Sequence, residues 1–361
     1  MVRLVRILVV CLTLALVQAP AGMASAQPAM HQPSMQAQPP QRAWLDEPMV
    51  WGVNGHPFTA YPNIPWGRQL DDTLRLGMRH YRVNTRSDGS HEYMDTLLPM
   101  AEARGMVIVP MIQPEVDWNR DTPEELYRRS FELGRAMASR YRGRVPMWSL
   151  ANEIEGHALL RPCEQFDDGT PYPCEWGISI GSTARDYHGG RWAQVSAVYR
   201  GLSEGVRAGD PQALRAIGVA GWGRFGAFER MVNDGVEWEI TVWHDYEGVS
   251  EQAIARLAAF GRPIWLMEFN AGADSESPEE RARQVAARVA HYQSLRALYP
   301  IAGAFFYELY DEPYWGDTFE ARQGLITLRR DRNGFWEVGH DKPGAGAIAA
   351  AIAAARARDG R

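Results

Sequence analysis

Short apolar runs alternate along the chain with longer stretches in which apolar residues return every three to four positions. The runs predict strands at Met49–Val53, His80–Asn84, Val107–Ile112, Pro146–Ala151, Ala213–Val219, Glu239–Trp243, Ile264–Phe269 and Gly303–Leu309. The amphipathic stretches predict helices at Leu70–Leu76, Tyr93–Arg104, Pro123–Tyr141, Trp192–Ala208, Phe225–Asn233, Glu251–Phe260 and Pro278–Leu298, and an Ala-rich helix follows Lys342-Pro343. Two helix starts are explicit. Thr122-Pro123-Glu124-Glu125 and Ser277-Pro278-Glu279-Glu280 each join an N-cap hydroxyl, a proline at the first helical position and a glutamate three residues after the cap.

Strict βα alternation predicts a closed barrel or an open doubly wound sheet. Val107–Ile112 and Ile264–Phe269 are apolar without interruption, as strands of a parallel sheet covered on both faces should be. Polar residues stand at the ends of several runs: Arg82, Gln113, Asn152-Glu153, His244, Glu268 and Glu308. Chemistry drawn from the carboxyl ends of many strands is the pattern of a (β/α)8 (TIM) barrel, predicted here as a single α/β domain over 44–361. Ile154–Gly190 lacks an apolar period and is too long for an ordinary connection, which predicts a functional loop over the barrel mouth.

The residues before the domain change the picture of where it works. Arg3 and Arg6 precede the apolar run Ile7–Val17, and Ala24-Ser25-Ala26 follows as an A-x-A cleavage signal. This predicts a secretory signal peptide over 1–26, a disordered Pro/Gln-rich leader over 27–43 and a secreted or periplasmic product without stable membrane insertion after cleavage. The formal charge of −6 becomes more negative once those two arginines are removed, so neither nucleic acid nor an anionic membrane is an expected partner. Cys163 and Cys174 remain, and in an exported chain such a close pair is expected to form a disulfide.

Among 44 acidic residues, two are unusual. Glu153 and Glu268 each directly end an apolar run, in Trp148-Ser149-Leu150-Ala151-Asn152-Glu153 and Ile264-Trp265-Leu266-Met267-Glu268. A charge there is costly unless it faces a cavity. Two carboxylates in different surroundings supply what glycosidic cleavage needs, a proton for the leaving oxygen and a negative group facing the oxocarbenium-like centre.

With Asn152-Glu153 ending the fourth strand and Glu268 the seventh, the chain resembles glycoside hydrolase clan A, the barrel glycosidases that include families 5, 10 and 39. Gly77 and Arg82 around the second strand and His244-Asp245-Tyr246 on the sixth fit the same pattern. The resemblance implies a monomeric retaining β-glycosidase acting on a β-linked poly- or oligosaccharide, with Glu153 as acid/base and Glu268 as nucleophile. It places Arg82 and Tyr246 on the nucleophile, Asn152 on the sugar 2-hydroxyl and His244 on the acid/base side. The clan usually has a tryptophan floor at the end of the eighth strand. Tyr307 stands there in Phe305-Phe306-Tyr307-Glu308, which leaves the sugar open and makes Glu308 a further substrate ligand or a partner for a nearby base.

Of the thirteen tryptophans, Trp51, Trp118, Trp176, Trp222, Trp243 and Trp315 lie near strand ends or top-side loops and are candidate sugar platforms, Trp51 and Trp222 foremost. Gly221-Trp222-Gly223-Arg224-Phe225-Gly226 has the dinucleotide spacing between a strand and a helix, but a bulky Trp222 stands where a pyrophosphate would approach. No cofactor is therefore expected, and no metal, because none of the nine histidines forms H-x-H or H-E-x-x-H. A carbohydrate-binding barrel without chemistry and a nicotinamide oxidoreductase are the alternative readings.

Overall fold

A computed structural model describes residues 45–359 except 62, 90, 273–276 and 317. The expected signal peptide and leader lie outside the described residues. Eight parallel strands close a barrel in chain order: β1 (Val50–Gly55), β2 (His80–Asn84), β3 (Val107–Ile112), β4 (Met147–Leu150), β5 (Leu214–Val219), β6 (Ile240–Asp245), β7 (Ile264–Phe269) and β8 (Ile301–Phe306). Around it run α1 (Trp66–Arg75), α2 (Glu92–Glu102), α3 (Pro123–Arg140), α4 (Gly189–Gly209), α5 (Gly226–Asn233), α6 (Glu251–Ala258), α7 (Pro278–Arg296) and α8 (Pro343–Arg358). The open-sheet alternative is excluded by the β1–β8 pairing that closes the ring.

Periodicity located β2, β3 and β7 to the residue, misplaced most other strand ends by one to three positions and began α1 four residues late. It missed an antiparallel hairpin, β9 (Ile326–Arg330) with β10 (Trp336–Asp341), between β8 and α8. Alternating side chains and the Asn333-Gly334 turn were a legible signal for it. No helix among the described residues is long and apolar enough to cross a membrane.

Two apolar layers hold the barrel. The inner one packs Val109, Met147, Ala216, Ile240, Val242, Trp265, Met267 and Phe305 inside the ring; the outer one fills the space between strands and helices. Glycine at two strand positions makes the large inner rings fit. A Cβ on Gly52 would stand 2.3 Å from the Phe305 ring and one on Gly303 2.7 Å from Trp265, while those two rings stack at 5.6 Å. The α3 start forms the expected reciprocal cap, Thr122 accepting from the Glu125 amide and the Glu125 carboxylate from the Thr122 amide. At α7, Ser277 caps the Glu280 amide, but the Glu280 side chain pairs with Arg283 instead of reaching back.

The long connection after β4 carries three short 3₁₀ turns and the bridge between Cys163 and Cys174. Arg191 of α4 clamps it from below, donating two 2.7 Å bonds to Glu164 and further bonds to the carbonyls of His157 and Leu159. Those paired bonds from Arg191 hold the Glu164 carboxyl down to about 2.

Candidate active site

The backbone leaves regular geometry where the chemistry gathers. β4 stops at Leu150, and Ala151 and Glu153 both adopt left-handed conformations, φ 56° and 52°. Adjacent residues of an ideal strand face opposite sides. The two reversals around Asn152 bring it and Glu153 into the same cleft, which they line together. Such conformations cost an L-residue roughly 1–3 kcal/mol each and persist where surrounding contacts over-determine them. Here the Ala151 amide donates to the Ile112 carbonyl (2.8 Å) and the Asn152 amide to the Gln113 side chain (2.9 Å).

A second irregularity aligns β6 and β7. Trp243 pairs with Leu266, yet the next residue, His244, pairs with Glu268, so Met267 is the extra residue of a bulge. Its carbonyl accepts from the Asn54 side chain at the end of β1 (2.8 Å). The bulge turns Glu268 into the mouth opposite His244.

Buried Glu268 is gripped at both oxygens. Arg82 donates to Oε1 (2.5 Å) and Tyr246 to Oε2 (2.8 Å). Burial alone raises a carboxyl, but the charges of His244 and Arg82 and these hydrogen bonds outweigh it, and Glu268 is held below the ordinary carboxylate range. Arg82 also donates to Asn54 and Asn152 (2.8 and 2.7 Å) and is thereby fixed in orientation. His244 shares a 2.5 Å hydrogen bond with Glu153 and lies 3.5 Å from Glu268. Burial lowers its imidazole, and the Glu268 charge together with the Glu153 bond raises it further, for a net upward shift. The carboxylate oxygens of Glu153 and Glu268 that face each other are within 4.8 Å.

Arg82, Asn152, Glu153, Tyr246 and Glu268 line a cleft of about 490 Å³ with His56, Asn84, Trp222, Tyr307, Phe319 and Gln323. A larger cavity of about 640 Å³ between α7 and the segment after β8 is lined by neither Glu153 nor Glu268, so the two carboxylates meet in the smaller one. Tyr307 presents its ring edge-on to His56 and Tyr246, at 5.9 and 6.0 Å, and its bond to Glu308 is cis.

Several sequence expectations require correction. Trp51 is not at the mouth; it is buried in the outer apolar layer, because its position on β1 points toward the helices. Glu308 is fully buried behind the cleft and does not line it, which removes the substrate-ligand alternative and leaves it as the partner of a nearby base, His56. Its carboxylate accepts from Tyr61 (2.7 Å) and stands 3.4 Å from His56, and burial together with the Glu312 charge holds it well above its usual range. Of the other tryptophans, Trp222 is half exposed on the cleft wall, Trp118 stacks on His157, Trp243 is buried against Phe225, and Trp176 and Trp315 are exposed elsewhere on loops.

The Gly-rich segment has a packing explanation. A Cβ on Gly221 would meet the His244 carbonyl at 2.1 Å and one on Gly226 the Thr183 backbone at 2.1 Å, while Arg224 pairs with buried Glu155 (2.9 Å). Sequence reasoning missed Asn54, His56 and Glu312. Asn54 and His56 escaped because the first strand was ended at Val53, short of the polar residues that follow it.

No family model and no curated protein matches the chain. Solved structures do match in fold. Xylanase 10B from Thermotoga petrophila RKU-1, in complex with xylobiose, superimposes with a TM-score of 0.58 at 14% identity, covering 87% of this chain and 97% of that one. The endo-beta-1,4-mannanase from Thermotoga petrophila gives 0.55 at 15% identity over 86% and 77%. The beta-glycosidase from Thermosphaera aggregans gives 0.58 at 10% over 88% and 97%. The chain therefore shares the (β/α)8-barrel fold of these glycoside hydrolases.

Proposed function

We propose that residues 44–361 form the catalytic domain of a retaining β-glycosidase that cleaves a β-linked poly- or oligosaccharide. The separation of the two carboxylates carries this reading. Retention needs carboxyl groups only ~5–5.5 Å apart, whereas inversion needs ~6.5–9.5 Å to admit water between acceptor and base. Facing oxygens within 4.8 Å fit the first case. The glycosidase names of the fold neighbours agree with it.

In the first step Glu153 protonates the glycosidic oxygen while Glu268 attacks the anomeric carbon. The bond to the leaving group breaks and a glycosyl ester forms. In the second step Glu153 takes a proton from water, the water oxygen replaces Glu268 at that carbon, and Glu268 departs as a carboxylate. Arg82 and Tyr246 keep Glu268 ionised and aimed. Asn152, its oxygen occupied by Arg82, keeps its amide N–H to donate to the sugar 2-hydroxyl, an interaction that strengthens in the transition state. Trp222 and Tyr307 supply aromatic surface to the sugar. The A-x-A signal and the bridge between Cys163 and Cys174 support a secreted or periplasmic site of action.

A hydrolysis screen over β-linked polysaccharides and aryl β-glycosides, followed by NMR of the first-formed sugar, tests the reading. Retained β-configuration is expected. Glu268→Ala should abolish turnover, with azide restoring it as the α-glycosyl azide. Inverted product, or near-normal turnover by Glu268→Ala, rejects it.

A further inference from the structure

Behind the cleft, His56, Glu308 and Glu312 converge from two elements that only barrel closure brings together, the residues following β1 and those following β8. One ligand atom from each lies within 4.8 Å of the others. Nε2 of His56 is 3.4 Å from Oε2 of Glu308 and 3.8 Å from Oε1 of Glu312. Glu308 and Glu312 are 0% and 5% exposed. Two carboxylates buried side by side repel unless a cation lies between them or one of them carries a proton.

The hydrogen bonding around the three is incomplete in a pattern. Tyr61 donates to Oε2 of Glu308 (2.7 Å) and Trp315 to Oε2 of Glu312 (2.9 Å), and Tyr314 and Glu308 also stand within hydrogen-bonding reach of Glu312. The other oxygen of each, Oε1, is buried with no hydrogen-bond partner, and so is Nε2 of His56. Native interiors rarely leave one such atom unsatisfied, and here three belong to side chains that each bring a ligand atom within 4.8 Å of the others. The nearby cations do not fill the gap. Arg82 is committed to Glu268, Asn54 and Asn152, and Lys342 to Asp311.

We infer that His56, Glu308 and Glu312 bind a divalent transition-metal ion, zinc or manganese, that ties the β1 end to the β8 end beneath the sugar cleft. One imidazole and two carboxylates form a donor set suited to these ions, and the 3.4 and 3.8 Å separations of His56 Nε2 from Oε2 of Glu308 and Oε1 of Glu312 match bonds of ~2.0–2.2 Å to a shared centre, Oε2 of Glu308 keeping its bond from Tyr61. A dication cancels the two carboxylate charges, which a neutral imidazole leaves unchanged. Tyr61 and Trp315 orient the carboxylates as outer hydrogen-bond donors, and Asn84, 3.4 Å from Nδ1 of His56, orients the ring. The Asn84 atom nearest Nδ1 is the amide nitrogen; when Nε2 binds the ion and Nδ1 carries the proton, the amide turns to present its oxygen, its two orientations filling the same space. His56 also lines the cleft and faces Tyr307, so the ion stiffens the floor that the strand-eight tryptophan provides elsewhere.

The inference does not depend on the proposed catalysis, since binding is read directly. Tag-free protein stripped with EDTA and dialysed is titrated calorimetrically with zinc chloride and, separately, manganese chloride, with elemental analysis for stoichiometry and thermal melts with and without chelator. One equivalent bound and a melting point several degrees higher with metal are expected. His56→Ala, Glu308→Gln and Glu312→Gln should each lose that binding, and Trp315→Phe should weaken it ~10–100-fold as an outer donor. Glu153→Gln should keep it, which separates this site from the Glu153–His244–Glu268 group. The glutamine variants remove a buried charge, so their metal-free melts should match or exceed that of the stripped parent. No uptake of either ion by the parent overturns the inference in favour of a proton shared between Glu308 and Glu312. Binding that survives in Glu312→Gln, or disappears in Glu153→Gln, overturns it as well.

Discussion

Nδ1 of His244 lies 2.5 Å from a carboxylate oxygen of Glu153, across a cleft whose walls come from strands that are not neighbours in the ring. The bond restrains the more exposed of the two carboxylates, and the β6–β7 bulge sets the imidazole's height. His244→Gln should therefore misplace the acid/base without unfolding the barrel. A hydrogen bond to a charged group contributes about 1.5–3 kcal/mol, or about 10- to 150-fold in kcat/KM, and the loss should fall mainly on kcat. Steady-state kinetics on an aryl glycoside check this; a change below about threefold would mean that Glu153 is positioned without His244.

Glu268 is held below the ordinary carboxylate range, so the acid limb of the kcat/KM profile should fall below its reference value of 4.5. A carboxyl lowered in the folded state stabilises the fold above its unfolded value, and that contribution is lost as pH falls through the folded one. Arg82→Met removes one lowering charge, so the limb should move up. It should also cost roughly 3–5 kcal/mol, because the remaining buried charge loses its partner. A limb that does not move in the variant would assign control of Glu268 to other groups.

The bridge between Cys163 and Cys174 closes a short loop within the segment above the mouth. Replacing both with serine should lower stability by ~2–3 kcal/mol through the freed unfolded chain. Urea denaturation of oxidised parent and variant measures this, and peptide mapping that finds both thiols free in exported protein would remove its basis.

Gly221 and Gly223 both have positive φ, 78° and 82°, but only Gly221 touches the site. Alanine at either should cost ~1–2 kcal/mol for the left-handed backbone. At Gly221 the added Cβ also meets the His244 carbonyl at 2.1 Å, whereas at Gly223 nothing lies within 4 Å. Gly221→Ala should thus lose both stability and turnover, and Gly223→Ala should lose stability alone. Equal turnover in the two would show that His244 tolerates the displacement.

The barrel was legible from the chain because its causes are local and repeated. Period-two and period-3.6 patterns, helix caps and apolar runs recur in eight units, and each run ends where backbone and side chains meet solvent at the mouth. The same logic brought forward Glu153, Glu268, Arg82, Asn152 and His244, since a polar group at the end of an apolar run needs a cavity, whereas Tyr246 came from the resemblance to clan A. Other features depended on how distant segments meet. Ala151 and Glu153 reverse the backbone, and Met267 bulges β7, only because contacts with β3 and β1 hold them there. Glu308 ends its strand as Glu268 does, yet barrel closure sets it behind the cleft against Tyr61 and His56. Trp51 and Trp222 are alike as residues, and the direction of one strand and the φ of one loop residue made the first core and the second cleft wall. Sequence pattern determines which segments form and which face of each is apolar. Side-chain partners between segments far apart in the chain are set by register, bulges and ring closure, and these are properties of the assembled sheet.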